Sequence, residues 1–339
     1  MGLKASFYKK TFHFKRPSGT SRGVLTEKHA WFVEVWQNEN PSLKGIGECS
    51  IIPGLSPDFI DDDTYERKLK SVCENLNEDT TDWPSIRFGV ETALLDLKNG
   101  GKGILFHNSF TARNSRIPIN GLIWMGTEEF MREQIAEKLE QGFTTIKMKI
   151  GAIDFEAEFK LLQAIRKEYS SEQITLRVDA NGAFEPEECL EKLNSLASLD
   201  IHSIEQPIKA GQWNEMKELC ATTKLPIALD EELIGINSIK DKTALLDTIC
   251  PQYIILKPSL HGGITGCKDW ISLAEERNIP WWITSALESN IGLNAVCQFT
   301  AEYTNDLPQG LGTGSLYTDN IPSALRVELG AIYLSVDKA

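Results

Sequence analysis

Five polar residues stand at the ends of short aliphatic runs in this chain, 25 to 28 residues apart: Asp179 in TLRVDAN, Glu205 in HSIEQP, Asp230 in PIALDEE, Lys257 in YIILKPS and Ser285 in ITSALES. Any one of them reads equally well as a turn or helix-capping residue. As a set they read differently, because a spacing of one βα unit sets consecutive strand ends side by side, about 5 Å apart, where side chains converge. Three converging carboxylates raise one another's pKa unless a cation compensates them. Hard oxygen donors with no His or Cys at a matching position point to Mg²⁺, with Mn²⁺ able to substitute.

The preceding run, TTIKMKIG, carries Lys147 and Lys149 two residues apart. In a strand they share one face, with Ile146, Met148 and Ile150 on the other. Two lysines turned into a barrel cost desolvation unless they serve a site; the plainer alternative is a frayed strand with two surface lysines. Lys257, four units downstream, can face the same pocket from across the barrel. A cation held by carboxylates and flanked by lysines suits abstraction of a proton next to a substrate carboxylate. The cations stabilise the resulting enediolate, and a lysine beside other cations is the more easily deprotonated to act as base.

The elements that must position these residues form a repeat. Short β-branched runs near 117–120, 145–150, 174–179, 203–205, 227–229, 253–256 and 281–284 alternate with helical patterns near 128–141, 155–168, 186–196, 214–222, 238–246, 265–277 and 290–302. Seven or so units of 25 to 30 residues predict an α/β chain built as a closed (β/α) barrel, whose chemistry lies at the C-terminal strand ends. An open nucleotide-binding sheet is disfavoured: Gly100, Gly101 and Gly103 follow no convincing strand, and Gly310, Gly312 and Gly314 precede no helix. Before the barrel, strands up to about residue 50 and helices near 64–76 and 86–97 predict an α+β capping domain.

Length and charge narrow the function further. A chain of 339 residues accommodates about two domains. Its formal net charge of −13 repels phosphate on average, which argues against nucleic acid as a partner. There is no run of about 20 apolar residues to span a bilayer and no signal-peptide pattern, so no membrane partner is expected. Seven scattered cysteines without a Cys-x-x-Cys fit buried thiols in a reducing cytoplasm.

The strings IKMKIG, RVDANGAF, IEQP, ALDE and ILKPS, in this order and strand by strand, resemble the enolase superfamily in its muconate-lactonizing-enzyme-like branch, and within it the o-succinylbenzoate synthases. The resemblance covers nearly the whole chain. It implies a modified (β/α)7β barrel at 113–317 with a capping domain at 1–112 completed by about 318–339. It also implies Mg²⁺ on Asp179, Glu205 and Asp230, proton transfer by Lys149 supported by Lys147, and Lys257 facing the other side of a small-molecule carboxylate. The implied reaction is a syn dehydration of 2-succinyl-6-hydroxy-2,4-cyclohexadiene-1-carboxylate to 2-succinylbenzoate in menaquinone biosynthesis. Assembly into a homo-oligomer is expected only by analogy with such barrels.

Two alternatives remain at this level. Dipeptide epimerases and N-acylamino-acid racemases of the branch use the same ligands with a lysine on each face, so Lys149 and Lys257 would also support two-base racemisation. Dipeptide epimerases typically add an Asp-x-Asp element near the eighth strand, and residues 310–315, GLGTGS, carry no carboxylate. A barrel kept for ligand binding after losing activity would not need every charged group that proton transfer requires. Substrate contacts are expected from Ser21, Arg22 and Gly23 in a closing loop, from Asn181 and Ser285, and from the backbone of Gly312, Thr313 and Gly314. His261 is assigned an ordinary loop or cap role, and of Glu231 and Glu232 one is expected to orient a lysine or a water while the other faces solvent or caps a helix.

Overall fold

The computed structural model describes residues 2–20, 23–124, 126–151 and 153–336. Three antiparallel strands, β1 (Leu3–Thr20), β2 (Gly23–Gln37) and β3 (Asn40–Ser50), precede helices α1 (Asp62–Glu74) and α2 (Pro84–Lys98). The alternation of β2 buries both its faces. Trp31, Val33 and Val35 pack with Tyr65, Leu69, Ile86 and Ala93 of the two helices, while Ala30 and Phe32 pack with Leu287 and Tyr317 at the barrel mouth. The sheet is thus pinned between its own helices and the barrel.

One buried carboxyl in this cap sets a pH dependence. Asp58 Oδ2 accepts from the backbone N–H and hydroxyl of Ser85 in the first turn of α2, at 2.9 and 2.6 Å. Burial pushes its pKa up to about 6 against those hydrogen bonds. The folded chain therefore holds the proton more tightly than the unfolded one. The stability contributed by protonated Asp58 is full below the unfolded value of about 4 and is lost as pH rises through about 6. Relative to Asp58→Asn, the wild type should lose about 2 kcal/mol of stability between about pH 4.5 and 7. Urea unfolding of both proteins across that range checks it, and a pH-independent difference would refute it.

The barrel sheet has seven parallel strands in sequential order: β5 (Gly121–Ile123), β6 (Thr145–Lys149), β7 (Thr175–Asp179), β8 (Ser203–Glu205), β9 (Ile227–Leu229), β10 (Tyr253–Leu256) and β11 (Trp281–Ile283). Helices α3 (Glu128–Glu140), α4 (Phe155–Glu168), α5 (Pro186–Ala197), α6 (Trp213–Thr222), α7 (Ile239–Ile249) and α8 (Gly263–Glu275) connect them, and α9 (Asn290–Thr300) follows the last. Isolated parallel bridges Ile119–Gln309 and Thr284–Gly310 link the two sheet edges, so the structure is an incomplete (β/α)7β-type barrel. A Cβ on Gly310 would sit 1.9 Å from Thr284 Oγ1; only glycine permits this approach.

One strand expectation is corrected. Within 117–120, Ile117 and Pro118 form β4 (Ile117–Pro118), which pairs with β13 (Ala331–Leu334) of a C-terminal hairpin whose other strand is β12 (Leu325–Glu328). The barrel strand is the following 121–123 segment. Pro118 has no N–H to give a parallel ladder, so it suits the short outer strand and not the buried one.

Strand alternation orients the barrel. Ile146, Met148, Leu176, Val178, Ile204, Ile227, Leu229, Ile254, Leu256 and Ile283 point outward into the main core beneath the helices. Ala228, Ile255 and Trp282 form a separate apolar cluster inside the barrel. Among the described residues, no helix is long and apolar enough to cross a membrane. All seven cysteines are unpaired.

Candidate active site

Register builds the site. Lys149 pairs with Asp179, and Asp179 with Glu205, across β6, β7 and β8, so these three share one row at the C-terminal strand ends. Asp230 lies two residues beyond the inward-facing Ala228, the register partner of Glu205, and Lys257 two beyond the inward-facing Ile255, so both turn inward just past their strands, above that row. Lys147 lies one pleat deeper, opposite Arg177.

The six charged groups are paired with one another. Lys149 Nζ donates to Asp179 Oδ2 at 2.9 Å and to Asn181 Oδ1 at 2.6 Å. Lys147 Nζ lies 2.8 Å from Asp179 Oδ2 and donates to Glu205 Oε2. Lys257 Nζ donates to Asp230 Oδ2 and stands 3.8 Å from Glu205 Oε1. Burial disfavours both the Lys147 and Lys257 ammoniums, yet the facing carboxylates outweigh it and raise both pKa values. Burial likewise works against the Asp179 carboxylate, and Lys147, Lys149 and Lys257 together hold it well below the usual range. Glu205 moves the other way: burial, and then the Asp179 charge, push it well above the ordinary value. A proton or a cation is therefore most wanted at Glu205.

The donor set fits a hard divalent cation. Glu205 Oε1 and Asp230 Oδ1 are buried with no hydrogen-bond partner among the described residues, and Asp179 adds a third carboxylate on the adjoining strand. No three His, Cys, Asp or Glu side chains among the described residues are arranged as ready ligands, and the Lys147 and Lys257 ammoniums lie against the carboxylates. The arrangement can hold three negative charges in a low-dielectric ring, neutralised by three ammoniums.

Above the ring opens a cavity of about 930 Å³. Lys147, Lys149, Asp179, Asn181, Glu231 and Lys257 line its floor, whereas Glu205 and Asp230 lie deeper. One wall comes from the ends of the last strand and the bridging segment: Thr284, Ser285, Ala286, Leu287, Gly310, Gly312 and Thr313. The cap supplies Lys15, Arg16, Pro17, Leu25, Ile52, Pro53 and Leu55, and Trp124 and Phe130 add aromatic surface.

Some expected contacts are arranged differently. Ser21 and Arg22 lie outside the described residues, and Gly23 is not in the cavity lining; the cap reaches the cavity through Lys15, Arg16, Pro17 and Leu25, which flank that loop, and through Ile52, Pro53 and Leu55. Gly314 is turned away by the short 3₁₀ helix Gly312–Ser315, and a Cβ there would meet Leu293 at 2.8 Å. Ser285 Oγ donates to Glu288, accepts from Leu287 N–H and shares a hydrogen bond with Thr313 Oγ1, so its polar capacity is largely used within the wall. The Asn181 amide spans Lys149 and Glu231. Glu232 neither faces solvent nor orients a lysine; it is buried and accepts from Gln206 and Gly211 N–H.

Three positions escaped the sequence reading. Thr284 is on the inward face two residues after Trp282, a period-of-two signal that Ser285 obscured. Arg177, two before Asp179, is buried with its guanidinium 4.1 Å from the Trp282 ring centroid and one bond to Pro308 O, and burial lowers its pKa to about 10. Glu48 of β3 is fully buried and accepts from the N–H groups of Ser289 and Gly292 at the start of α9, which ties the cap to the cavity wall.

Residues 130–337 match the family described as Enolase C-terminal domain-like. The o-succinylbenzoate synthase of Desulfotalea psychrophila is 46% identical over 98% of this chain and 100% of that protein. The crystal structure of MenC from Desulfotalea psychrophila superposes with a TM-score of 0.88 at 43% identity, covering 98% of this chain and 100% of that one. A dipeptide epimerase from Enterococcus faecalis, complexed with Mg and the dipeptide L-Leu-L-Tyr, has a TM-score of 0.84 at 20% identity over 100% and 98% of the two chains, a likeness of fold. A full-length relative at this identity, on a barrel whose strand ends carry the lysines and carboxylates described above, makes this chain a member of the enolase superfamily, in its muconate-lactonizing-enzyme-like branch.

Proposed function

We propose that this chain is a divalent-metal-dependent lyase that dehydrates 2-succinyl-6-hydroxy-2,4-cyclohexadiene-1-carboxylate to 2-succinylbenzoate, the o-succinylbenzoate synthase step of menaquinone biosynthesis. The observation that carries it is the 46% identity, end to end, with a protein of that name. In this reading residues 113–317 are the catalytic domain, and 1–112 with about 318–339 cap it. A cytoplasmic location and a homo-oligomer belong to the same reading, resting on the unpaired thiols and on family analogy.

Asp179, Glu205 and Asp230 hold Mg²⁺ or Mn²⁺. When bound, the ion supplies a Lewis-acidic partner for the substrate carboxylate. Lys149, as the free amine, takes the proton from the carbon next to that carboxylate. The same group, now an ammonium, returns a proton to the departing hydroxyl on the same face, so water leaves and the ring becomes aromatic. Lys257 stands four strands from Lys149 in the eight-position ring, on the opposite side, which supports its role as the cation facing the enediolate. Lys147 stays charged beneath the site and supports Lys149 through their shared partner, Asp179. The apolar cap residues exclude water from the ring.

The second reading is two-base racemisation by Lys149 and Lys257, favoured by their opposed placement. It is weakened for dipeptides, because the wall at 284–287 and 310–315 presents no carboxylate to an ammonium. Purified protein with Mg²⁺ should aromatise the cyclohexadiene substrate, followed by ultraviolet absorbance, and should turn over a dipeptide panel far more slowly. Efficient epimerisation without detectable dehydration would reverse the ranking.

A further inference from the structure

His261 lies four residues after Lys257 in Lys-Pro-Ser-Leu-His and is buried. The Lys257 backbone N–H donates to His261 Nδ1 at 2.9 Å. The Lys257 carbonyl accepts the N–H groups of Leu260 and His261 at 2.8 and 2.9 Å. Both main-chain polar groups of Lys257 are therefore closed into one five-residue loop, and the imidazole makes one of the closures.

The need for it follows from where the ladder stops. On one side β10 pairs with β11 as far as Leu256 and Ile283; on the other it pairs with β9 only as far as Ile254 and Leu229. The Lys257 N–H falls beyond both ladders in a buried place, where an unpaired donor is costly. The His261 main chain is held in place, since α8 packs so closely on it that a Cβ on Gly266 would lie 2.2 Å from the His261 carbonyl oxygen.

Because Nδ1 accepts, it carries no proton, and the neutral ring must carry its proton on Nε2. Burial, reinforced by the Lys257 and Lys242 charges, lowers the His261 pKa to about 3 although Asp230 opposes this, so the acceptor persists through the neutral range.

We propose that His261 is a positioning residue for Lys257: a neutral imidazole in one tautomer that anchors the Lys257 main chain and thereby aims its ammonium at Asp230 and the cavity. The functional side of this inference rests on Lys257 facing the substrate, as proposed above.

Three substitutions separate anchoring from bulk. His261→Asn puts a carbonyl oxygen where Nδ1 stands, His261→Gln moves it one bond further, and His261→Leu removes the acceptor. Leu and Gln should lower kcat about 10- to 100-fold with KM little changed, the scale of a small misplacement, while Asn restores most of the activity. In a Lys257→Ala background, His261→Leu should cost little more, because the group it aims is gone. Hydrogen–deuterium exchange at the Lys257 amide should rise in the Leu and Gln variants and stay near wild type in Asn. That readout needs no turnover, so absent dehydration by the wild type would count against the proposed function alone. Unchanged kcat and amide protection in His261→Leu would overturn the proposal. A loss of the same size in the Lys257→Ala background, or no difference between Asn and Gln, would overturn it as well.

Discussion

Lys149→Ala should reduce dehydration by on the order of 10⁴-fold or more, because one amine serves as both base and acid, and each proton transfer is worth about 10²–10⁴-fold. Lys149→Arg should be equally inactive, since a guanidinium does not give up its proton near neutrality. Lys257→Ala should also be severe, yet for an electrostatic reason: it deletes a cation facing the enediolate, a loss comparable to the about 10²–10³-fold of a missing oxyanion donor. Lys257→Arg keeps that charge and should retain measurable dehydration while losing any racemase activity. Single-turnover assays of the four variants, with substrate-free Mg²⁺ affinity as a control, decide the matter. Robust dehydration by Lys149→Arg would overturn the one-base scheme and move proton transfer to Lys257.

Exhaustive chelation should abolish turnover, and Mg²⁺ or Mn²⁺ should restore it. The reason lies in the charge inventory. Asp179, Glu205 and Asp230 are at most 2% exposed, and Lys147 and Lys257 already lean on them. Without a bound cation those ammoniums stay engaged with the carboxylates. Asp230→Asn should abolish Mg²⁺ binding detectable by calorimetry. It should also lower stability, by at most about 3–5 kcal/mol, the cost of leaving one member of a buried ion pair unmatched, because Lys257 keeps Glu205 Oε1 at 3.8 Å. Full activity of the metal-free protein, or unimpaired Mg²⁺ binding by Asp230→Asn, would contradict the assignment of these carboxylates as ligands.

The strand expectations failed where the signal was not local. Runs near 145–150, 174–179 and 253–256 end as strands within a residue or so of where their patterns stop, because alternation and helix periodicity are properties of adjacent residues. The run at 117–120 is as β-branched as any of these, and nothing within it says that it pairs with a hairpin more than 200 residues away. Period two puts Arg177 on the inward face with Asp179, but nothing near it in the sequence says what it meets there; its environment is the Trp282 ring, contributed from four strands further on.

By itself, the sequence determined the repeating unit, the face on which each strand turns inward, and hence that Lys149, Asp179, Glu205, Asp230 and Lys257 all turn inward at the C-terminal end of the barrel. Period two and the length of a βα unit are enough for that. Tertiary structure alone decided which lysine leans on which carboxylate, that Gly314 turns away while Gly312 and Thr313 line the cavity, that the cap's wall combines Lys15, Arg16, Pro17 and Leu25 with Ile52, Pro53 and Leu55, and that His261 anchors Lys257. These contacts depend on how the sheet curves, on the 309–310 segment bridging its edges, and on where each ladder stops. Most join residues from strands and loops that meet only when the barrel forms; His261 and Lys257 are four residues apart, but the ends of the ladders that leave the Lys257 N–H in need of a partner are set by neighbouring strands.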